Sequence, residues 1–503
     1  MTLPAAPGQP ASWQRLSPRM LLVHPVHEVL RQLPLVIGSV VLGSATGNPW
    51  LVALALALTV VFGVLRWLTT AYRISPEEVQ LRSGVLQRTV LSLPRNRIRS
   101  VSTDARLLHR ALGLTVLRVS TSQQTGGDGE FALDAVAAQQ VPRLRAILLA
   151  DSLAVADLEA APGRILARWH PSWLRYSPLN LTGLAMILAA LGITYQAGAA
   201  AALRNSSLLQ PGLQAAQRFG PVAIAATAAI VVLTASLALS VLRSLVTYGN
   251  LVLRRDADLL HLEHGLLRLR ENTFDMRRLR GATLREALPV RVFGGARLDA
   301  VMTGVNGAGE SSLLLPPCPA ATGKAVLADL IANHDAASGP LRGHGPAATR
   351  RRWTRALAIP AALALVSAVV GVPVWVWVVL AVATVCCALL AADRSRSLGH
   401  RVSGGWLVAR AGSLERRRDC IAGAGIIGWT VRQSCPQRRA GLATLIAATA
   451  AGFKRYQVVD VPVDLAWSIA AAASPWVAHN RWADQPAPSG ASSSIDGNNE
   501  RTG

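Results

Sequence analysis

Arginines at fixed distances from glycines are the residues of this chain whose type and spacing point to chemistry. Arg97 and Arg99 stand 13 and 15 residues after Gly84, and Arg278 and Arg280 stand 13 and 15 after Gly265. Side chains two apart on a strand share one face, so each pair predicts a small cationic patch. Arg88, Arg268, Arg270 and the run Arg416-Arg417-Arg418 add charge just past the glycines. Such patches recognise anions, and beside an inner leaflet each basic residue gains roughly 1 kcal/mol from anionic headgroups. A solvated face that only sets membrane topology is the competing reading. Arg88, Arg97, Arg99, Arg278, Arg280, Arg416 and Arg417 therefore form the candidate surface for anionic lipid or a partner.

Catalytic chemistry finds little footing. His24, Pro25 and His27, and again His170-Pro171, precede apolar runs and read as interfacial turns. His261 and His264 flank a strand without a recurring carboxylate or cysteine beside them, so a metal centre is not expected. Gly126-Gly127-Asp128-Gly129 and Gly423-Ala424-Gly425 lack the lysine and strand-to-helix setting of a phosphate loop. No nucleophile elbow or paired carboxylates stand out. The five cysteines include no Cys-x-x-Cys pair, which removes zinc and disulfide frameworks. The expectation is a protein that is not an enzyme and carries no cofactor.

The elements that position the arginines repeat. Gly84 lies 29 residues before Gly113, Gly265 lies 29 before Gly294, and Gly412 lies 29 before Gly441. Arg110, Arg291 and Arg438 each stand three residues before the second glycine. Each first glycine separates two β-type runs and so predicts the positive φ of a hairpin turn. Five or six short β-type runs around each pair predict an antiparallel sheet. A closing helix follows, over Asp134 to Leu149, Ala321 to Asn333 and Pro462 to Ala473.

Long apolar blocks precede each such unit. The pairs are Leu33 to Ala45 with Trp50 to Leu68, Leu179 to Leu203 with Pro221 to Val246, and Leu357 to Val370 with Val374 to Ala392. Most approach the roughly 20 residues that cross a bilayer as a helix. Gly47-Asn48-Pro49 and Gly371-Val372-Pro373 break the first and third pairs into hairpins. Lys+Arg exceeds Asp+Glu by 23, and only Lys324 and Lys454 are lysines. The short connectors are nearly free of arginine and the long segments are rich in it, which predicts both termini and all the units in the cytoplasm. No cleavable signal peptide is expected. The spans hold no charged residue away from their ends, which disfavours coupled ion transport. Charge explained by topology, without interleaved aromatics, also disfavours nucleic acid.

These residues carry a resemblance. Tyr72-Arg73-Ile74, Ser83-Gly84-Val85-Leu86, Leu93 to Ile98 and Leu112-Gly113-Leu114 resemble the pleckstrin-homology-like domain of YdbS/YdbT-type bacterial membrane proteins. Gly425 to Ser434 and Gln437 to Leu445 resemble it more closely. The second unit departs, with five more residues between Tyr248 and Gly265 than between Tyr72 and Gly84. The resemblance implies six transmembrane helices, as α-helical hairpins, alternating with three cytoplasmic α+β pleckstrin-homology-like (PH-like) domains, each a curled antiparallel sheet with a C-terminal helix.

The expected boundaries are a cytoplasmic segment 1–28, hairpins 29–69, 178–246 and 355–393, domains 70–151, 247–336 and 394–480, linkers 152–177 and 337–354, and a disordered tail 484–503. The expected location is the bacterial plasma membrane. The expected role is an interaction platform, in a hetero-complex with a smaller PH-like membrane protein. Anionic-lipid binding, with a part in envelope stress, antimicrobial resistance or export, is the alternative. A translocation path is a weaker one.

Overall fold

The structure, a computed structural model, describes residues 13–15, most of 68–142, and 163–180, 220–303 and 312–478, with scattered positions elsewhere between 57 and 192. Around the first glycine pair lie β1 (Gln14–Arg15), β2 (Ala71–Ile74), β3 (Glu78–Ser83), β4 (Thr89–Pro94), β5 (Ile98–Ala105), α1 (Leu107–Ala111), β6 (Leu114–Thr121) and β7 (Phe131–Ala137). The second set is β8 (Arg164–Arg168), α2 (Pro221–Tyr248), β9 (Val252–Asp256), β10 (Leu259–His264), β11 (Leu269–Asp275), β12 (Leu279–Ala287), α3 (Leu288–Val292), β13 (Gly295–Met302), β14 (Leu313–Pro319) and α4 (Ala320–Ile331). The third is α5 (His334–Ser338), α6 (Gly345–Val370), α7 (Val374–Arg396), β15 (Gly399–Ser403), β16 (Trp406–Ala411), β17 (Glu415–Ala422), β18 (Ile426–Arg432), α8 (Cys435–Arg439), β19 (Leu442–Thr449), β20 (Arg455–Pro462) and α9 (Val463–Ala473).

The glycine pairs do two different jobs. Gly84, Gly265 and Gly412 take φ of 124°, 108° and 106° in the turns β3–β4, β10–β11 and β16–β17, as the spacing predicts. A Cβ at Gly412 would lie 2.0 Å from the Glu415 carbonyl oxygen, and one at Gly265 2.1 Å from that of Arg268. Gly113, Gly294 and Gly441, at φ 67°, 72° and 64°, instead end the short helices α1, α3 and α8. Those helices are absent from the sequence expectation. Each of these glycines donates its N–H to the carbonyl of the repeated arginine, at 3.1, 2.8 and 3.2 Å. Each accepts in turn from the N–H of Ala138, Ala320 or Val463, where the closing helical turn begins.

The chain forms two compact units, Met1–Leu279 with Pro289–Val326, and Arg280–Leu288 with Leu327–Gly503. The first unit holds a sheet ordered β1-β2-β3-β4, a sheet ordered β7-β6-β5-β11-β10-β9-β8, and the antiparallel pair β13–β14. In the second unit β12, β17, β16 and β15 are neighbours in that order, and β18-β19-β20 make a separate sheet. Tyr72, Val79, Ile98, Leu117, Leu133 and Leu148 meet in one buried core between β2–β4, β5–β7 and the closing turns. Each such side chain removed from water contributes about 1.5–3 kcal/mol.

Three described helices are long and apolar enough to cross a membrane: Ala229–Tyr248 within α2, Gly345–Val370 and Val374–Arg396, of 20, 26 and 23 residues. Their outward side chains, among them Leu365, Val369, Trp375 and Leu389, are exposed and without a stripe of polar residues. Gly371, at φ 70°, ends α6 and turns the chain into α7. Most of the first expected hairpin and most of Leu179 to Leu203 lie outside the described residues, as does the tail.

Three expectations are corrected. Asp134 belongs to β7, whose pairing with β6 runs to Ala137, so the first closing turn starts at Ala138. The stretch taken as a linker over 337–354 is helical from Gly345, because Arg350 to Arg355 continue α6 towards its apolar part. The other supposed linker supplies β8, which pairs antiparallel with β9 across the intervening α2. β1 pairs with β2, and Arg342 bridges to His400, in the same manner. The strand before an apolar block is thus tied to the strand after it.

Replacing Gly412 with Ala should destabilise the protein by at least about 1 kcal/mol, since the new Cβ meets backbone and the positive φ is retained. Thermal unfolding of the purified protein in detergent would measure it.

Candidate interaction surface at the sheet edges

Strand edges are where these segments meet other strands. In the first unit β11 runs antiparallel to β5, with Arg270 opposite Asp104, Glu271 opposite Thr103 and Phe274 opposite Ser100. In the second unit β17 runs antiparallel to β12, with Arg417 opposite Arg285, Asp419 opposite Thr283 and Ile421 opposite Gly281. The register is the same in both. Asp104 and Arg285 each stand 20 residues after their glycines, and their partners Arg270 and Arg417 each stand five after theirs.

A carboxylate–guanidinium pair locks each junction. Arg268 grips Asp104 with two nitrogens, Nε to Oδ1 at 2.6 Å and Nη2 to Oδ2. Burial works against the ionised Asp104 carboxyl, but the Arg268 hydrogen bond and charge outweigh it and hold its pKa below the ordinary value. Arg285 Nη1 lies 3.3 Å from Glu415 Oε1 at the other junction. Burial likewise opposes Glu415, and Arg417 and Arg285 lower its pKa again. The positions correspond: Asp104 and Arg285 are 20 past their glycines, Arg268 and Glu415 three past theirs. The charges are exchanged. One junction has acid then base where the other has base then acid, so each strand repels the wrong neighbour.

Further bonds make the junctions rigid. Arg278 Nη1 donates to the Ile98 carbonyl and Arg110 Nη1 to that of Leu266, the latter at 3.1 Å. The Thr283 hydroxyl donates to Asp419 at 2.7 Å, and burial raises the Asp419 pKa. Arg285 and Arg417 face each other, and Glu415 bonds both. Both guanidiniums also lie over the Phe453 ring, at 5.0 and 5.5 Å, where its negative face offsets their repulsion.

The candidate arginines separate on this geometry. Arg88 is exposed at the start of the β4 turn. Arg97 lies outside the described residues, and Arg99 is on β5 with its side chain outside them. Arg278 sits in a 3₁₀ turn, Met276–Arg278, so it shares no strand face with Arg280. It pairs with Asp275 at 3.3 Å. Arg280 lies half-buried on β12 against Gly425, where a Cβ would come 2.8 Å from its Cδ. Arg416 pairs with Asp393 at 2.8 Å and Glu286 at 3.8 Å, and Arg417 with Glu415 at 2.7 Å. Sequence reading missed Asp104, Arg268, Arg285 and Glu415 as a set. Their matched offsets and opposite signs were the available signal.

A second polar centre ties α6 to the strands that follow it. Arg351 and Arg352 pair with the buried Asp460 at 2.9 and 3.1 Å, and Gln437 Nε2 donates to it at 2.9 Å. Nearby, His344 Nδ1 lies 2.8 Å from the Val459 carbonyl and Nε2 lies 2.9 Å from His400 Nδ1. A carbonyl only accepts, so His344 carries its proton on Nδ1 and His400 donates to Nε2. Burial, with the neighbouring imidazole and Arg342, lowers the His400 pKa to about 4, and burial lowers that of His344. Of the histidines flagged in the sequence, His24 and His27 lie outside the described residues, and His170 and His261 have ordinary partners. His170 caps the 3₁₀ turn Pro171–Tyr176 by accepting from the Ser172 N–H, and His261 bonds Thr273 and Asp256.

Two regions match the family model of the bacterial PH domain. They are residues 29–152 and 356–474. The second bacterial PH domain match begins inside α6 and ends just past α9, so it takes in apolar helices and sheets together. The second segment, 247–336, lies outside both matches, in line with its longer stretch before Gly265. No curated protein and no solved structure matches the chain.

Two outcomes follow. Asp104→Arg and Arg268→Asp should each weaken the protein, and the double variant should recover by about 0.5–3 kcal/mol of coupling, read from thermal unfolding. For the histidines, folded values below the unfolded 6.5 mean that the unfolded chain binds more protons on acidification. Stability should therefore fall as pH drops from 6.5 to about 4. His400→Gln should flatten that slope in melting curves recorded against pH.

Proposed function

We propose that this chain is a non-enzymatic, multi-pass protein of the bacterial plasma membrane, with six spans and three cytoplasmic PH-like domains that act as an interaction platform. The observation that carries this reading is the pair of locked strand junctions, β5–β11 and β12–β17. Strand edges in this chain are docking surfaces already, and a fourth domain of the same kind would dock in the same way. The resemblance implies a smaller PH-like membrane protein as the partner. The apolar helices would hold the sheets beside the bilayer, and Arg351, Arg352 and Asp460 would transmit the position of α6 to the strands.

Anionic lipid is the second reading, and among the described candidates Arg88 is exposed. Arg278, Arg416 and Arg417 each have a carboxylate partner, which weakens their hold on a headgroup. Mild cross-linking in native membranes, affinity purification, and mass spectrometry of proteins and lipids together separate the two. The platform reading expects a stoichiometric protein, and isolation of a lone chain with enriched anionic lipid would replace it.

A further inference from the structure

One junction used twice leaves two loose ends. Counting from β2, β9 and β15, it joins the fourth strand of one segment to the third strand of the next: β5 to β11, and β12 to β17. The fourth strand of the third segment is β18, and the third strand of the first segment is β4. β18 ends the order β18-β19-β20, and β4 ends the order β1-β2-β3-β4. Among the described residues, no strand pairs with the outer edge of either.

Both edges are runs of neutral residues, more than half of them β-branched or aromatic. Thr89 to Leu93 and Ile426 to Val431 hold no charged side chain. Strands β11 and β17, by contrast, carry Arg270 and Glu271, and Glu415 to Asp419. Sheet edges left in water are normally blunted by charge, proline or a bulge. Thr89 to Leu93 has none of these, and in β18 the register shift is confined to Ile426–Gly428, which leaves Trp429 to Val431 regular. Val90 and Ile427 are 54% and 70% exposed.

A glycine marks the same place. Gly281, 16 residues after Gly265, has no room for a Cβ because the Cys420 carbonyl oxygen of the neighbouring strand would lie 2.0 Å from it. Gly428 stands 16 residues after Gly412 and has only the Ala448 Cβ near, at 3.9 Å. A glycine inside a strand suits a backbone that approaches closely. At Gly428 the described residues supply none.

We propose that β18 of one copy of this chain pairs antiparallel with β4 of a second copy, in the register of the two internal junctions. Twenty past one glycine then faces five past the next: Arg432 opposite Thr89, Val431 opposite Val90, Thr430 opposite Leu91, Trp429 opposite Ser92, and Gly428 opposite Leu93. The contact is head to tail, so a pair of copies keeps one free edge of each kind and copies add in series. This rests on the platform reading and narrows its partner to the chain itself.

The test uses the full-length protein in its membrane, with Cys386→Ser, Cys387→Ser and Cys435→Ser; Cys318 and Cys420 are buried. Val90→Cys with Val431→Cys should give a ladder of disulfide-linked multimers on oxidation. Val90→Cys with Ile427→Cys, four residues out of register, should not. In the cysteine-replaced background, Val90→Lys should reduce the mass in mild detergent to that of one chain, while its melting curve shows that it still folds. No ladder from the matched pair, or equal ladders from both pairs, overturns the proposal. Val431→Cys trapped one-to-one on a different PH-like protein overturns self-pairing and keeps the platform.

Discussion

Unpaired backbone at the side of a β-sheet is the constraint from which this architecture follows. Every edge strand presents N–H and C=O groups that need partners. Here β5 and β11 satisfy one another, as do β12 and β17, so successive segments share sheets instead of hanging on flexible connectors. That single choice fixes where the arginines must go. Placed near strand edges, they are drawn into carboxylates such as Asp104 and Glu415, and their work becomes selecting the neighbour.

The exchange of charge between the junctions gives that selection its content. If both junctions carried acid first and base second, β11 and β17 would compete for the same edge. With Arg268 set against Asp104 and Glu415 against Arg285, a misplaced strand would bring two guanidiniums or two carboxylates together in a part-buried site. Charged pairs of this kind contribute modestly to stability against hydrophobic substitutes and more to the choice among similar partners.

Much of the fold was legible in the sequence, for reasons that differ by element. Gly84, Gly265 and Gly412 were readable because only glycine takes their φ without strain. The limits of α7 were readable because an apolar run bounded by Pro373 and by arginines has one physical reading. The helices α1, α3 and α8 were not, because five residues are too few to show a helical period. The patch read from Arg278 and Arg280 assumed one continuous strand, and a 3₁₀ turn capped by Asp275 interrupts it. Strand pairing between segments involves residues about 170 positions apart, such as Asp104 and Arg270, which periodicity along the chain does not register.

Strands β8 and β9 lie side by side although α2 and the residues before it separate them, and Arg342 meets His400 across α6 and α7. Each apolar block is therefore an insertion into a sheet margin, clamped at both feet. A change in the tilt or spacing of the helices arrives at the strands as mechanical load on those few hydrogen bonds.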